Sequence, residues 1–431
     1  MNFFTDSLLT LKGIKRYKDL LQESQFFSEE QVLKLQKEWL STLLKHCQSI
    51  PWYSIKYREY GVNPQSNDPF KELRKLPILS KKEVLDNHAD FCIPAVQDNS
   101  LSFFTSGTTG EPLRAYTSKN QWIIEQGVIW RSWKWAGYNL RDRIAIFRSY
   151  SPKKGEPKRK LDRLKNWAYF SVYDMTDSDL EEYFTFLQSW KPKFLRGYPS
   201  SLYLIAQYAL KKGYKLPYLK AAFTASESLA PDFREVIRDA FNIEVFDHYG
   251  QAEVTCMLHD CEKHEGMHLD WEYGFVELEP NSNQNNYSII ATNLHNFAMP
   301  LLRYDTGDVC KESWSDCGCD RKSKVIGEIL GRRDDYIYSS EGSKIPTVNI
   351  YTYFSKLTDL KRFQIIQEKR GSLLIKFSIW EGNKEDDSSL LSNKIKRELE
   401  SLTNLTIETQ ITDNFTQNSG GKFPVLIQRT K

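Results

Sequence analysis

Lys193-Phe194-Leu195-Arg196-Gly197-Tyr198-Pro199 opens the stretch whose reading decides the fold. A short apolar run comes first, then an amphipathic segment from Ser200 to Lys212 that Gly213 stops. Ala221-Ala222-Phe223-Thr224-Ala225 precedes a second such segment with Pro231 in its first turn, and Ile243-Glu244-Val245-Phe246 follows. Short apolar runs read as buried strands, and apolar residues at three-to-four spacing read as helices with one buried stripe. Proline just inside a helix start and glycine just past its end punctuate the segments. Strand and helix in alternation imply a mainly parallel sheet with covering helices, an α/β fold whose ligands sit past the carboxyl ends of the strands. Ser226, Glu227 and Ser228 follow one expected strand; His248, Tyr249, Gly250, Gln251 and Glu253 follow the next.

Outward from this region, the first hundred residues read as helical. Ser28 with Gln31 three residues on is a capping pattern, and Val32, Leu35, Trp39, Leu40, Leu43, Leu44 and Cys47 keep helical spacing until Pro51. Trp130, Trp133, Trp135 and Tyr138 also recur at helical spacing and read as core. Past about residue 332 the pattern changes to period two, with Phe363 and Ile365, then Leu373, Ile375, Phe377 and Ile379, around an Arg370-Gly371 turn. One helix from about Leu390 to Leu402 and a last strand complete that part, which ends in the tip Asn418-Ser419-Gly420-Gly421-Lys422. The expected organisation is a large domain over 1–332, helical over about 1–95, and a small mobile C-terminal α+β domain over 333–431.

A length of 431 residues exceeds what one core organises, and 40% hydrophobic content is ample for globular folding. The formal charge of +3 is small for that length and gives no signal for a nucleic-acid partner. Seven unevenly spread cysteines, with no basic-then-apolar leader at the N-terminus, imply a reducing, cytoplasmic protein. No uncharged apolar stretch reaches the roughly 18 residues that a membrane span needs. Composition leaves the oligomeric state open, a dimer included.

Phe103-Phe104-Thr105-Ser106-Gly107-Thr108-Thr109-Gly110-Glu111-Pro112 packs four hydroxyls and two glycines into the six residues from Thr105 to Gly110. Glycine lets backbone N–H groups approach an anion closely, and hydroxyls add uncharged donors. The order Gly110-Glu111-Pro112 excludes a Walker loop, which needs a lysine after its last glycine. A cation that neutralises bound phosphates must therefore come from elsewhere. Cys261, His264, His268 and the pair Cys317-Gly318-Cys319 supply soft and borderline ligands suited to one tetrahedral zinc, whereas Cys256 and Cys310 are left over as spares.

In chain order, the hydroxyl-rich loop, Tyr249-Gly250-Gln251-Ala252-Glu253, Tyr304-Asp305-Thr306-Gly307-Asp308, Gly331-Arg332-Arg333-Asp334-Asp335 and Gly420-Gly421-Lys422 resemble the motif series of the adenylate-forming acyl-CoA synthetase superfamily. The resemblance is closest to phenylacetate-CoA ligases and, within that branch, to capsular-polysaccharide-associated CapK-like proteins. Ile50-Pro51-Trp52-Tyr53, Leu76-Pro77-Ile78-Leu79-Ser80-Lys81 and Arg196-Gly197-Tyr198-Pro199-Ser200-Ser201-Leu202 resemble that branch as well.

The resemblance implies an ATP- and Mg²⁺-dependent, AMP-forming ligase. Such an enzyme joins a small-molecule carboxylic acid to the α-phosphate, releases pyrophosphate, and passes the acyl group to coenzyme A. The alternatives are transfer to an amine or hydroxyl, such as a sugar of a surface polysaccharide, or a non-catalytic nucleotide-binding partner protein. By resemblance Thr105, Ser106, Gly107, Thr108, Thr109 and Gly110 hold the departing phosphates, and Glu253 holds Mg²⁺. Ser226, Glu227, Ser228, Tyr249 and Gly250 line the adenine, and Asp308 takes the ribose hydroxyls, since a carboxylate accepts two donors at once. Arg332 reaches phosphate or ribose. Lys422 supplies the missing cation, Asp334 is the hinge, and the face from Tyr338 to Pro346 closes over the acceptor. A structural zinc on Cys261, His268, Cys317 and Cys319, with His264 as substitute, is likewise implied. Gly-Gly-Lys in place of the usual Ser-Gly-Lys ending departs from the pattern. The basic run from Lys153 to Lys160 reads as a solvated loop or as a contact for a polyanionic acceptor.

Overall fold

The computed structural model describes residues 3–92, 100–104, 113–148, 150–153, 155–173, 175–281, 286–332, 336–346, 350, 353–354, 357, 360–380, 385–416 and 424–430. Two compact units emerge: Met1–Gly107 with Glu111–Tyr138 and Phe246–Arg333, and Thr108–Gly110 with Asn139–Val245 and Asp334–Lys431.

In the first unit the expected helix runs over Glu29–Cys47. The Ser28 hydroxyl accepts from the Gln31 N–H at 3.4 Å while the Gln31 side chain accepts from the Ser28 N–H at 2.9 Å, a reciprocal cap. Its stripe of Leu40, Leu43, Leu44 and Cys47 is buried with Tyr53, Tyr57, Leu294 and Leu302. The helix Lys119–Trp135 buries Trp130 and Trp133, which meet Tyr138 edge-on with ring centroids 5.2 Å apart in both pairs. Trp130, Trp133 and Tyr138 are core, as expected, whereas Trp135 is half-buried and donates Nε1 to Gln25 Oε1 at 2.9 Å. The N-terminal helix Phe3–Arg16 crosses that helix at two glycines: a Cβ on Gly13 would lie 2.5 Å from Gln126 Cβ, and one on Gly127 would lie 2.6 Å from Leu21 Cδ1. Only glycine allows so close an approach.

The strand Glu244–Gly250 is longer than its apolar core and carries His248, Tyr249 and Gly250 on itself rather than after its end. The extension is explained by pairing, because His248–Gly250 lie antiparallel to Met257–His259. Asp308 likewise sits mid-strand in Tyr304–Cys310, between Asn286–Asn293 and Ile329–Arg332. Asp-Thr-Gly-Asp keeps a turn-like bulge inside the strand: Gly307 holds φ +75°, Asp305 Oδ1 accepts from the Gly307 N–H at 3.0 Å, and the register slips between Ser288 and Ile290.

The second unit contains the parallel sheet. Ala221–Ala225, Phe194–Gly197, Ile144–Phe147 and Trp167–Phe170 run parallel in that spatial order, and Arg159–Asp162 adds an antiparallel edge. Helices Asp177–Trp190, Pro199–Lys212 and Pro231–Phe241 join it in one core through Leu180, Leu187, Leu202, Ile205 and Ile237. Gly213 ends its helix at φ +73°, as its place in the sequence predicts. The α/β class read from the alternation holds.

In the C-terminal segment the period-two residues pair across a hairpin: Phe363 opposite Phe377 and Ile365 opposite Ile375, with Gly371 at φ +79° in the turn. Helix Glu385–Thr403 packs Ile395 and Leu399 against that sheet, and strands Thr406–Ile411 and Leu426–Gln428 flank it in parallel. Among the described residues, no helix is long and apolar enough to cross a membrane.

Candidate nucleotide-binding and metal sites

Two tyrosines position the acidic candidates of the first unit. Tyr249 donates its hydroxyl to Asp308 Oδ2 at 2.7 Å, and Tyr304 donates to Glu253 Oε1 at 3.0 Å. Burial and the Asp308 charge push the Tyr249 phenol well above its ordinary value, so it stays a donor. The Thr306 hydroxyl accepts from the Asp308 N–H at 3.1 Å and donates to the Ile289 carbonyl at 2.8 Å, which fixes the backbone beneath the carboxylate. Gln251 Nε2 donates to the Tyr249 hydroxyl at 3.0 Å. Residues 51 and 59 positions apart in the chain thus meet: the motif from Tyr249 to Glu253 and the motif from Tyr304 to Asp308 form one hydrogen-bonded group. A Cβ on Gly250 would lie 3.1 Å from His248 Nε2, so the missing side chain leaves room for that imidazole. The sequence marks Tyr304 and Thr306 only as members of the motif that ends in Asp308.

Arg332 is described in its backbone, where it pairs with Asp308 across neighbouring strands. Thr105, Ser106, Gly107, Thr108, Thr109, Gly110, Asp334 and Lys422 lie outside the described residues. The strands that flank the hydroxyl-rich loop are antiparallel partners, with Phe104 opposite Arg114. Tyr336–Tyr338 and Lys344–Pro346 form a hairpin with Gly342 at φ +86° in its turn.

Ser226, Glu227 and Ser228 follow the carboxyl end of strand Ala221–Ala225 in the second unit, as the alternation predicts. Glu227 Oε2 accepts from the Ser200 N–H at 3.2 Å, at the start of the helix Pro199–Lys212.

The cysteine and histidine candidates form a second group. Ligand atoms of Cys261, His268, Cys317 and Cys319 all lie within 4.8 Å of one another. Cys261 Sγ is 3.6 Å from Cys317 Sγ, and Cys319 Sγ is 3.4 Å from His268 Nε2. A tetrahedral ion with sulfur ligands at ~2.3 Å spaces them by roughly 3.8 Å, so the four atoms stand at metal-binding separations. His268 turns Nδ1 to the Ser323 carbonyl at 3.1 Å, a contact that leaves Nε2 facing the sulfurs. Burial lowers the His268 pKa to about 4, which keeps the imidazole neutral. His264 directs Nδ1 to Asp260 Oδ2 at 3.1 Å and is not in the group. Cys256 and Cys310 are buried elsewhere in an apolar cluster.

In the basic run Lys153 and Lys160 are exposed, Lys158 and Arg159 are half-buried, and Lys154 lies outside the described residues. Lys158 pairs with Asp179 at 2.7 Å, and the Arg159 guanidinium lies 3.8 Å over the Phe186 ring.

Residues 337–429 match the family model of the CapK C-terminal domain. The chain is 24% identical over 366 residues to the phenylacetate-coenzyme A ligase of Thermus thermophilus, covering 81% of each chain. It is also 24% identical over 370 residues to protein CapK of Staphylococcus aureus, covering 83% of this chain and 81% of CapK. A solved 2-hydroxyisobutyryl-CoA ligase in the postadenylation state, in complex with 2-HIB-AMP, shares the fold at TM-score 0.71 and 16% identity, covering 94% of this chain and 91% of that one. The resemblance carried by the motifs is borne out by these relatives.

Proposed function

We propose that this chain, a relative of the phenylacetate-coenzyme A ligases and of CapK, is an AMP-forming ligase that activates a carboxylic acid with ATP and transfers the acyl group to coenzyme A. In the first step a carboxylate oxygen bonds to the α-phosphorus and the bond to pyrophosphate breaks. In the second, the thiolate of coenzyme A attacks the acyl carbon and AMP leaves. Two anions must meet in the first step, so their charge has to be neutralised and their geometry fixed. The Tyr249–Asp308 and Tyr304–Glu253 pairs support this reading most directly, because they join two separated motifs into one polar group. In it Asp308 accepts the ribose hydroxyls, Glu253 is the carboxylate for Mg²⁺, and Ser226, Glu227, Ser228 and Gly250 border the nucleotide. Arg332 and the hydroxyl-rich loop take the phosphates, Lys422 bridges carboxylate and α-phosphate, and Asp334 is the hinge of a lid over 333–431. Acid-dependent exchange of labelled pyrophosphate into ATP is the test; its absence with a broad panel of acids would overturn the reading.

The match to the CapK C-terminal domain favours a second acceptor reading, because the acceptor face belongs to that part of the chain. There the acyl group passes to an amine or hydroxyl. Product formation that needs an amino or hydroxy sugar and not coenzyme A would select it.

Asp308→Asn keeps an oxygen for the Tyr249 hydroxyl but loses the charge. Hydrogen bonds to charged groups contribute about 1.5–3 kcal/mol, so ATP affinity is expected to fall about 10- to 100-fold with the fold retained. Calorimetric titration with ATP reads this directly, and unchanged affinity would remove the ribose role. Because Asp308 is buried, Asp308→Ala would also orphan the Tyr249 hydroxyl and is the poorer probe.

The four-ligand group fits a structural zinc, three thiolates and one neutral imidazole leaving no position for a reacting water. When bound, zinc would tie the turn after strand Met257–Asp260 to the segment 317–319. Elemental analysis is expected to give about one zinc per chain, and Cys317→Ser to lower the melting temperature by several degrees while adenylation at low temperature persists. Zinc-free protein of unchanged stability would leave these residues as reduced thiols.

A further inference from the structure

Three parallel strands of the second unit present three side chains at their carboxyl ends: Arg148 after Ile144–Phe147, Tyr198 after Phe194–Gly197, and Ser226 after Ala221–Ala225. The strands are in register, Phe147 opposite Gly197 and Gly197 opposite Thr224, so Arg148 and Tyr198 follow at the same level and Ser226 lies one residue beyond it. Arg148 Nη2 lies 3.5 Å from Ser226 Oγ, and its guanidinium lies over the Tyr198 ring at 5.4 Å. The guanidinium is half-buried, and among the described residues it meets no carboxylate. Glu227, next to Ser226 in the chain, accepts from the Ser200 N–H.

A partly desolvated cation without a counter-charge is unfavourable unless a ligand supplies one. Arginine suits that ligand because its planar fork matches carboxylate and phosphate oxygens in pairs, and an aromatic face orients it. Ser226 adds a second signal. It holds φ at +76°, a left-handed conformation that costs a side-chain-bearing residue about 1 kcal/mol or more and that glycine would adopt freely. A serine kept in that conformation places a hydroxyl beside the guanidinium at the strand ends where ligands of parallel sheets bind.

We propose that Arg148, with the Ser226 hydroxyl and the Tyr198 face, forms an anion subsite that selects acids carrying a second anionic group besides the carboxylate that is activated. The second group is a carboxylate or a phosphate monoester, since both present paired oxygens to a guanidinium. The inference rests on the ligase reading and names its substrate class.

The experiment uses the full chain and acid-dependent pyrophosphate exchange. Aliphatic and aromatic dicarboxylic acids are compared with their monoamides, and O-phosphorylated hydroxy acids with their unphosphorylated parents. The two sets separate the two sources of charge. The wild type is expected to prefer the dianionic member of at least one set by about 30-fold or more in kcat/KM, a charge-assisted bidentate contact being lost in the other. Arg148→Met is expected to abolish that preference and leave the KM for ATP and the rate with monoanionic acids unchanged, and Arg148→Lys to restore part of it. Equal use of both members by the wild type would overturn the subsite. A rise in the KM for ATP with every acid would overturn it too, assigning Arg148 to the nucleotide. If no acid supports exchange, the ligase reading fails, and calorimetric titration of the same probes then decides the subsite: dianion binding lost in Arg148→Met upholds it, and binding indifferent to Arg148 overturns it.

Discussion

Lys422→Ala is expected to lower acyl-adenylate formation by about 10² to 10³, the usual loss when one electrostatic contact made in the transition state is removed. The hydroxyl-rich loop 105–112 contains no lysine or arginine, yet it is the proposed cradle of two or three phosphates. Hydroxyl and backbone donors can hold such an anion but cannot cancel its charge, and the incoming carboxylate adds another. In the proposed reading the lysine of Gly420-Gly421-Lys422 supplies the missing charge, a compact cation on a long side chain that would enter for the first step and leave for the second. Transfer from a supplied acyl-adenylate needs no such cation, because the α-phosphate already carries the acyl group. The two half-reactions are therefore expected to separate: pyrophosphate exchange falls by the full factor, and thioester formation from synthetic adenylate falls several-fold at most. Equal losses in both would assign Lys422 to general positioning or to the fold.

The elements that the sequence announced most clearly are those whose local and tertiary preferences agree. The Ser28 capping box, the Gly213 stop, the run Ala221–Ala225 and the hairpin pairing Ile365 with Ile375 all combine a periodic apolar pattern with a specific terminator. The misplaced features are those that long-range pairing decides. His248, Tyr249 and Gly250 are polar or small, so nothing local marks them as strand; the partner Met257–His259 does. Asp308 lies in a polar, glycine-containing run that nothing local marks as strand; its pairing opposite Arg332 does. Of the candidate site, chemistry-bearing residue types were legible and their supports were not. Tyr304, Thr306 and Ser323 act through hydrogen bonds to Glu253, Asp308 and His268, and such bonds leave no spacing signature. His268 over His264 illustrates the same limit: both lie near Cys261, and only the Asp260 and Ser323 contacts separate them.

Arg131 is a case where nothing in the sequence warned of the role, and it carries the largest expected effect on stability. Its guanidinium is buried in the first unit, with Nη2 2.6 Å from Asp270 Oδ1 and Nη1 2.6 Å from Glu272 Oε1. Asp270 Oδ2 is also 2.6 Å from His259 Nδ1, and Ser24 donates its hydroxyl to Glu272. Burial alone would raise the Asp270 carboxyl, but His259 and Arg131 outweigh it and hold that carboxyl below the usual range. A depressed carboxylate stabilises the fold above its unfolded pKa, and that contribution is lost as pH falls through the lower, folded value. Arg131→Met preserves the stem and its packing but leaves two buried carboxylates facing each other. Breaking a buried ion pair from one side costs about 3–5 kcal/mol, whereas replacing all partners with neutral groups of similar shape costs far less. Urea denaturation at neutral pH is thus expected to show that loss for Arg131→Met, and most of it is expected to return in the triple variant Arg131→Met, Asp270→Asn, Glu272→Gln. The single variant should also become more stable as the pH is lowered into the carboxylate range, opposite to the wild type, because protonation relieves the exposed repulsion between Asp270 and Glu272. A single-variant loss under about 1 kcal/mol would mean that water reaches the cluster and that the helix Lys119–Trp135 is held by its apolar face alone.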